Sequence, residues 1–118
     1  MAIDYVWRGP ATNDELNALH AEAFETRVFN ASEWDWDAQL AGHSLGWVVA
    51  REAGELIGFV NVPWDGLVHA WIQDTMVART HQRRGIAMRL VENEERLRPL
   101  YIDACGFVPT AAGVMALR

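Results

Sequence analysis

The chain contains no lysine: all ten of its basic side chains are arginines. Every fixed cation is therefore a guanidinium, suited to planar, two-point contact with phosphate or carboxylate. The same absence rules out a phosphate loop of the G-x-x-x-x-G-K-[ST] type, and no G-x-G-x-x-G follows the first strand-like run, so neither common nucleotide loop is present. Cysteine is scarce as well. Cys105 stands alone, which excludes an intrachain disulfide framework and fits a reducing compartment. With no base beside it, this thiol reads as a small packing residue rather than a nucleophile. No apolar run approaches the roughly 20 residues of a membrane span, and the opening MAIDYVWRGP lacks a basic-then-apolar leader, so a cytoplasmic chain with no membrane partner is expected. His20, His43, His69 and His81 are scattered without H-E-x-x-H or similar spacing, and no metal site is expected.

What is present describes one globular domain over residues 1–118, of which 51% are hydrophobic and 22% charged. The net charge of -6 is unevenly spread: Met1–Gly66 holds 11 acids against 3 arginines, whereas Leu67–Arg118 holds 7 arginines against 5 acids. A nucleic-acid binder carries a broad basic face; one local arginine cluster in an acidic chain points instead to a single small phosphorylated ligand. Trp34, Trp36, Trp47, Trp64 and Trp71 either line an acceptor pocket or fill the core of so small a domain.

Residues AIDYVW read as a first strand ended by Gly9-Pro10. Thr12-Asn-Asp-Glu15 is a capping box for a helix from Asn13 to about Glu25 with Leu16, Leu19, Ala23 and Phe24 at helical spacing. Ser32 is the expected cap of a second helix reaching about Ala41, with Gly42 as its stop. From Leu45 the period changes to strands: a hairpin around EAGE, then another around Asp65-Gly66, giving three antiparallel strands in succession. A third helix is expected from about Arg84 to Arg96 with Ile86, Ala87, Leu90 and Val91 inward. A short helix from Pro99 to Cys105 and a last strand at GVMAL complete the pattern.

The arginines crowd where the third strand of that series ends, Gly85 intervenes and the third helix begins. Unpaired amides and the positive end of a helix dipole meet there, which is an anion site suited to a pyrophosphate; a bare turn glycine is the alternative. Gln82-Arg83-Arg84-Gly85-Ile86-Ala87 resembles the Q/R-x-x-G-x-G/A motif of the GNAT superfamily of acetyl-CoA-dependent N-acetyltransferases. The order of one strand, two helices and three antiparallel strands before it is similar to that fold, as are DTMV before the loop and CGFVPT after it. The resemblance implies an α/β (mixed-sheet) GNAT-like fold. It implies that the amides of Arg83, Arg84, Gly85, Ile86 and Ala87, with Gln82 opening the loop, hold the coenzyme A pyrophosphate, and that the backbone of Met76 and Val77 pairs with the pantetheine arm. It also implies acetyl-CoA as co-substrate and a small amine as acceptor.

Attack of an amine on a thioester benefits from a general base and from a proton for the departing thiolate. Strand alternation puts Val68, Ala70, Ile72, Asp74 and Met76 on one face, so Asp74 is the candidate base among apolar neighbours; a carboxylate that caps a turn or pairs with an arginine is the alternative. Tyr101 is the candidate acid by resemblance, although YIDACGF places it five steps before Gly106 where the family pattern has four, and a core tyrosine fits as well. Only 15 residues separate Gly85 from Tyr101, too few for the third helix and the parallel strand that follows it in the family. Either PLYIDA substitutes for that strand, or the wedge is open on one side, or a second chain completes it as a homodimer through GFVPTAAGVMAL. An acceptor that is cationic matches the acidic first half. A GNAT-like module with weak or no turnover, binding coenzyme A or a protein, is the rival reading.

Overall fold

A computed structural model describes residues 2–67, 69–95, 107–109 and 114–117. Strand β1 (Ile3–Trp7) leads through Gly9-Pro10 to helix α1 (Asn13–Phe24). The capping box forms as the sequence requires: Thr12 Oγ1 accepts from the Glu15 amide at 3.1 Å while Glu15 Oε1 accepts from the Thr12 amide at 3.0 Å. Leu16 and Leu19 are buried and Phe24 is exposed, so the inward stripe is narrower than the spacing suggested.

Helix α2 (Trp36–His43) begins later than expected and is capped by Asp35, not Ser32. The cause lies on both sides of the junction. Asn30 Oδ1 gathers the amides of Ser32 and Glu33 into a local turn, and the Ser32 hydroxyl also donates to it. Asp35 Oδ1 accepts from the Ala38 amide at 3.1 Å, and Asn13 Oδ1, from α1, takes the Trp36 and Asp37 amides at 2.6 and 3.1 Å. Helix α2 then runs past Gly42 directly into β2 (Ser44–Glu52).

Strands β2 and β3 (Glu55–Pro63) form the expected hairpin, turning at Ala53-Gly54 with both φ values positive, the I′ signature. The turn at Asp65-Gly66 is also present, with the Asp65 amide bonded to His69 O at 3.0 Å. The run after it is not one strand but two: β4 (His69–Trp71) and β5 (Gln73–Val77). Phe59 pairs with Met76 and Asn61 with Gln73, so Val60 alone faces Asp74 and Thr75, a β-bulge, and Asp74 takes φ +55°. The expected alternation is interrupted there: Ala70 and Met76 are fully buried but Ile72 is exposed.

The main sheet is antiparallel in the order β1-β2-β3-β5, and a second sheet has the order β4-β7-β6, with β6 at Phe107–Pro109 and β7 at Val114–Leu117. The expected last strand is β7, and it pairs within its own chain, Val114–Ala116 against His69–Trp71. Among the described residues no strand lies on the outer side of β5. PLYIDA and the helix expected to contain it lie outside the described residues.

Helices α1 and α2 cover one face of the main sheet, where Trp36 meets Phe59 edge-on at 5.6 Å and its indole N–H is satisfied by Asn17 Oδ1 at 2.9 Å. Full burial of each such side chain contributes roughly 1.5–3 kcal/mol. Helix α3 (Ile86–Glu95) covers the other face. It lies close because β3 presents Gly58: a Cβ there would stand 3.2 Å from Leu90 and 3.3 Å from Ile86. The tryptophans divide accordingly. Trp36 is core, Trp34 stacks on it at 5.4 Å, and Trp47 donates to Gly9 O. Among the described residues no helix is long and apolar enough to cross a membrane.

Candidate active site

The end of β5 is fastened before the loop begins. The Ala78 amide reaches Ile57 O at 2.8 Å, and the alternation of an antiparallel ladder then turns the N–H and C=O of Val77 away from β3, toward the open edge. Met76 contributes a fully buried side chain one residue earlier. After a single 3₁₀ turn (Arg79–His81), Gln82 folds back and its Nε2 donates to Val77 O at 3.1 Å. Gln82 thus joins strand end to loop.

From there the chain makes two left-handed residues, Arg83 at φ +63° and Gly85 at φ +76°. Helix α3 opens with the Arg89 amide on Gly85 O at 3.1 Å. The backbone N–H groups from Arg83 to Met88 have no acceptor among the described residues, and the first turn of α3 carries no acidic side chain that could supply one. A cavity of about 200 Å³ with a mostly apolar lining opens beside this loop, formed by Val77, His81, Gln82, Gly85, Ala87 and Met88 with Arg83 and Ile86. Ala87, expected to face inward, is exposed on this surface, whereas Ile86 and Leu90 are buried.

Charge follows the same division. Arg27 pairs with Glu33, Arg51 with Glu15, and Arg79 with Glu25. Arg83 and Arg84 are exposed and make no ion pair among the described residues, so their charge is available at the loop together with the positive end of the α3 dipole. Arg84 also acts at a distance on Glu52, whose carboxyl is held below its usual range chiefly by a hydrogen bond from His81.

Three residues earlier along the strand, on the order of 10 Å at strand spacing, Asp74 sits half-buried in the bulge. Its Oδ2 accepts from Gln73 Nε2 at 3.2 Å, and Gln73 Oε1 accepts from Trp71 Nε1 at 2.8 Å. Neither an arginine nor a backbone turn engages this carboxylate among the described residues. Val77, Gln82, Arg83, Gly85, Ile86 and Ala87 line one cavity, Arg84 stands exposed outside that lining, Asp74 is on the strand leading to it, and Tyr101 lies outside the described residues. Sequence reasoning missed Glu52 and His81, which meet at 3.1 Å behind the loop. They are 29 residues apart, and no local pattern links them. No group of three or more His, Cys, Asp or Glu side chains suited to a metal converges among the described residues.

A sequence model of the acetyltransferase (GNAT) family matches residues 11–98, a span that takes in α1, the hairpin, β5, the loop through Gly85 and α3. The chain belongs to this family. Its fold is correspondingly similar to solved GNAT structures. A GNAT acetyltransferase from Brucella melitensis, in complex with acetyl-CoA, superposes with a TM-score of 0.65 at 17% identity, covering 98% of this chain and 87% of its own. A GNAT N-acetyltransferase from Escherichia coli, in complex with CoA, gives 0.63 at 16% identity, with 98% and 81% covered. A GNAT acetyltransferase from Streptococcus pneumoniae gives 0.60 at 20% identity; the match covers 79% of this GNAT chain and 65% of the pneumococcal one. Among curated proteins none matches the chain significantly.

Proposed function

We propose that this GNAT domain is an N-acetyltransferase that moves the acetyl group of acetyl-CoA to the amine of a small, cationic acceptor. The observation that carries the reading is the run of backbone N–H groups from Arg83 to Met88 that, among the described residues, lack acceptors, opened by two left-handed residues and flanked by guanidinium groups without an ion pair there. That arrangement suits a diphosphate, with two bridged anionic groups, better than a single carboxylate. The outward N–H of Val77 is then positioned for an extended amide-bearing arm lying along the edge of β5, its carbonyl already accepting from Gln82 Nε2, with Met76 anchoring the strand beneath. The Brucella and Escherichia proteins, solved with acetyl-CoA and CoA, support the choice of ligand.

In the reaction the amine lone pair attacks the thioester carbonyl, forming the C–N bond. Collapse of the tetrahedral adduct breaks the C–S bond, Asp74 takes the proton released by the nitrogen, and Tyr101 or water protonates the thiolate of coenzyme A. The bulge supports Asp74 in the first role by holding a carboxylate that, among the described residues, has a hydrogen bond from Gln73 but no ion pair, on the strand that leads to the anion loop. The acceptor's positive charge follows from the surplus of acids over arginines in Met1–Gly66.

The rival, a coenzyme-binding module with little turnover, draws on one observation: no strand flanks the outer side of β5 among the described residues. Thermal shift with acetyl-CoA, combined with release of free thiol in the presence of an amine panel, separates the two. A shift with turnover on polyamines is expected. A shift without turnover on any amine leaves the binding module, no shift removes both, and preference for anionic amines removes the cationic acceptor.

A further inference from the structure

His81 is buried, and both of its ring nitrogens are occupied: Nδ1 lies 2.7 Å from the hydroxyl of Thr80 and Nε2 lies 3.1 Å from Glu52 Oε1. The two partners differ in kind. A carboxylate only accepts, so Glu52 fixes a proton on Nε2 in every charge state of the ring. A hydroxyl both donates and accepts, so Thr80 serves a neutral ring by donating to Nδ1 and serves an imidazolium by accepting from it. The ring can therefore gain or lose one unit of charge without moving and without losing a hydrogen bond.

The place of this ring gives the property a use. His81 lines the same cavity as Arg83, Gly85 and Ala87. Among the described residues the charged groups around it are Glu52 on β2, with Glu55 paired to it across the hairpin, and Arg83 and Arg84 on its own loop. On the α1 side of the turn Arg79 is held by Glu25, and its amide by Glu22. Without a ligand the two loop guanidiniums oppose a further positive charge at His81. A bound dianion reverses that balance, because an opposite charge nearby favours the charged form of a base.

We infer that His81 is a proton-coupled positioning residue of the anion loop: binding of a diphosphate against Arg83–Ala87 takes up a proton on Nδ1, while Glu52 holds the ring in place. The inference borrows its ligand from the coenzyme reading above, but the coupling itself belongs to the loop. One consequence is directional. Affinity for the diphosphate weakens as pH rises wherever this uptake operates, about tenfold per pH unit for each whole proton taken up.

Dephospho-CoA is the probe of choice, since it keeps the diphosphate and lacks the phosphomonoester that itself titrates near pH 6. Calorimetric titration over a series of pH values in buffers of different ionisation heat should give a net uptake of protons on ligand binding. His81→Gln, which retains a donor to Glu52, should bind with no uptake. In the wild-type protein, ring ¹⁵N shifts of His81 should show the imidazolium fraction rising on addition of dephospho-CoA. Binding without uptake, or uptake that survives in His81→Gln, overturns the inference. Sulfate, a dianion that does not titrate in this range, separates the two readings. If dephospho-CoA fails to bind but saturating sulfate raises the imidazolium fraction, the coenzyme reading falls and the coupling stands; if neither ligand changes the ring, the coupling falls.

Discussion

Gly85 holds φ +76° with nothing within 4 Å of the position a Cβ would take. Among the described residues nothing fills that space, so the constraint on this residue comes from its backbone conformation and from whatever ligand approaches the amides. Gly85→Asp should cost the fold only about 1–2 kcal/mol for the left-handed conformation. It should also weaken acetyl-CoA binding by about 100-fold or more, because a like charge in an anion cradle costs several kcal/mol. Calorimetric affinity unchanged from wild type is the result that removes the loop from the coenzyme site. Asp74 invites the complementary measurement. Its role as base predicts that Asp74→Asn leaves acetyl-CoA affinity intact and lowers kcat by about 100-fold or more. A variant with full turnover across neutral pH makes Asp74 a bulge residue and nothing else.

At the scale of elements, one carboxylate adds an ion pair to the apolar packing that attaches α1 to the main sheet. Glu15 closes the capping box and also receives Arg51 of β2 at 2.7 and 2.9 Å. The Arg51 guanidinium, above all, holds the Glu15 carboxyl at about 2, well under its ordinary 4.5. A depressed carboxyl contributes stability at pH above its unfolded value and loses it as pH falls through the folded one. The bridge should therefore weaken from about pH 4.5 down toward pH 2, and Glu15→Gln should flatten this part of the acid-unfolding curve; an unchanged acid limb in the variant excludes the bridge as its source. The same element shows what the sequence could and could not reveal. The capping box was legible because donor and acceptor lie three residues apart. The start of α2 was not, since Asn13 decides it from 23 residues away and Asn30 had already engaged Ser32. The bulge at Asp74 was hidden for a similar reason: it arises from register with β3, and period-two alternation carries no trace of it. In the site, the contiguous loop from Gln82 to Ala87 could be read directly, whereas the pairing of His81 with Glu52 exists only once the hairpin is folded.

For the molecule as a whole, two features bear on association: among the described residues the outer side of β5 has no paired strand, while β7 pairs within the chain with β4. The C-terminal strand is engaged along His69–Trp71, so exchange of that segment between chains must first break its own pairing. Contact through β5 has no such cost, and an unpaired edge recruits another strand, although a bulge blunts it. The pantetheine arm proposed above uses the same edge. Ligand and second copy are then mutually exclusive there. Light scattering at micromolar concentration should find dimers of the ligand-free protein that dissociate on saturation with acetyl-CoA. Dimers that tighten with ligand instead indicate completion of the coenzyme site across chains, and a monomer under both conditions shows that the edge attracts no partner copy.

The guanidinium-only cation set, seen here in the bridges of Arg27 to Glu33 and Arg51 to Glu15, has a chemical consequence for a protein proposed to hold a thioester. An ε-amino group loses its proton often enough to be acylated by a concentrated donor; a guanidinium, charged at every accessible pH, offers no free lone pair. No side-chain amine of this chain can thus be acylated by its own donor. In a turnover assay none of the acetyl released from the thioester is to be sought on a lysine of the catalyst.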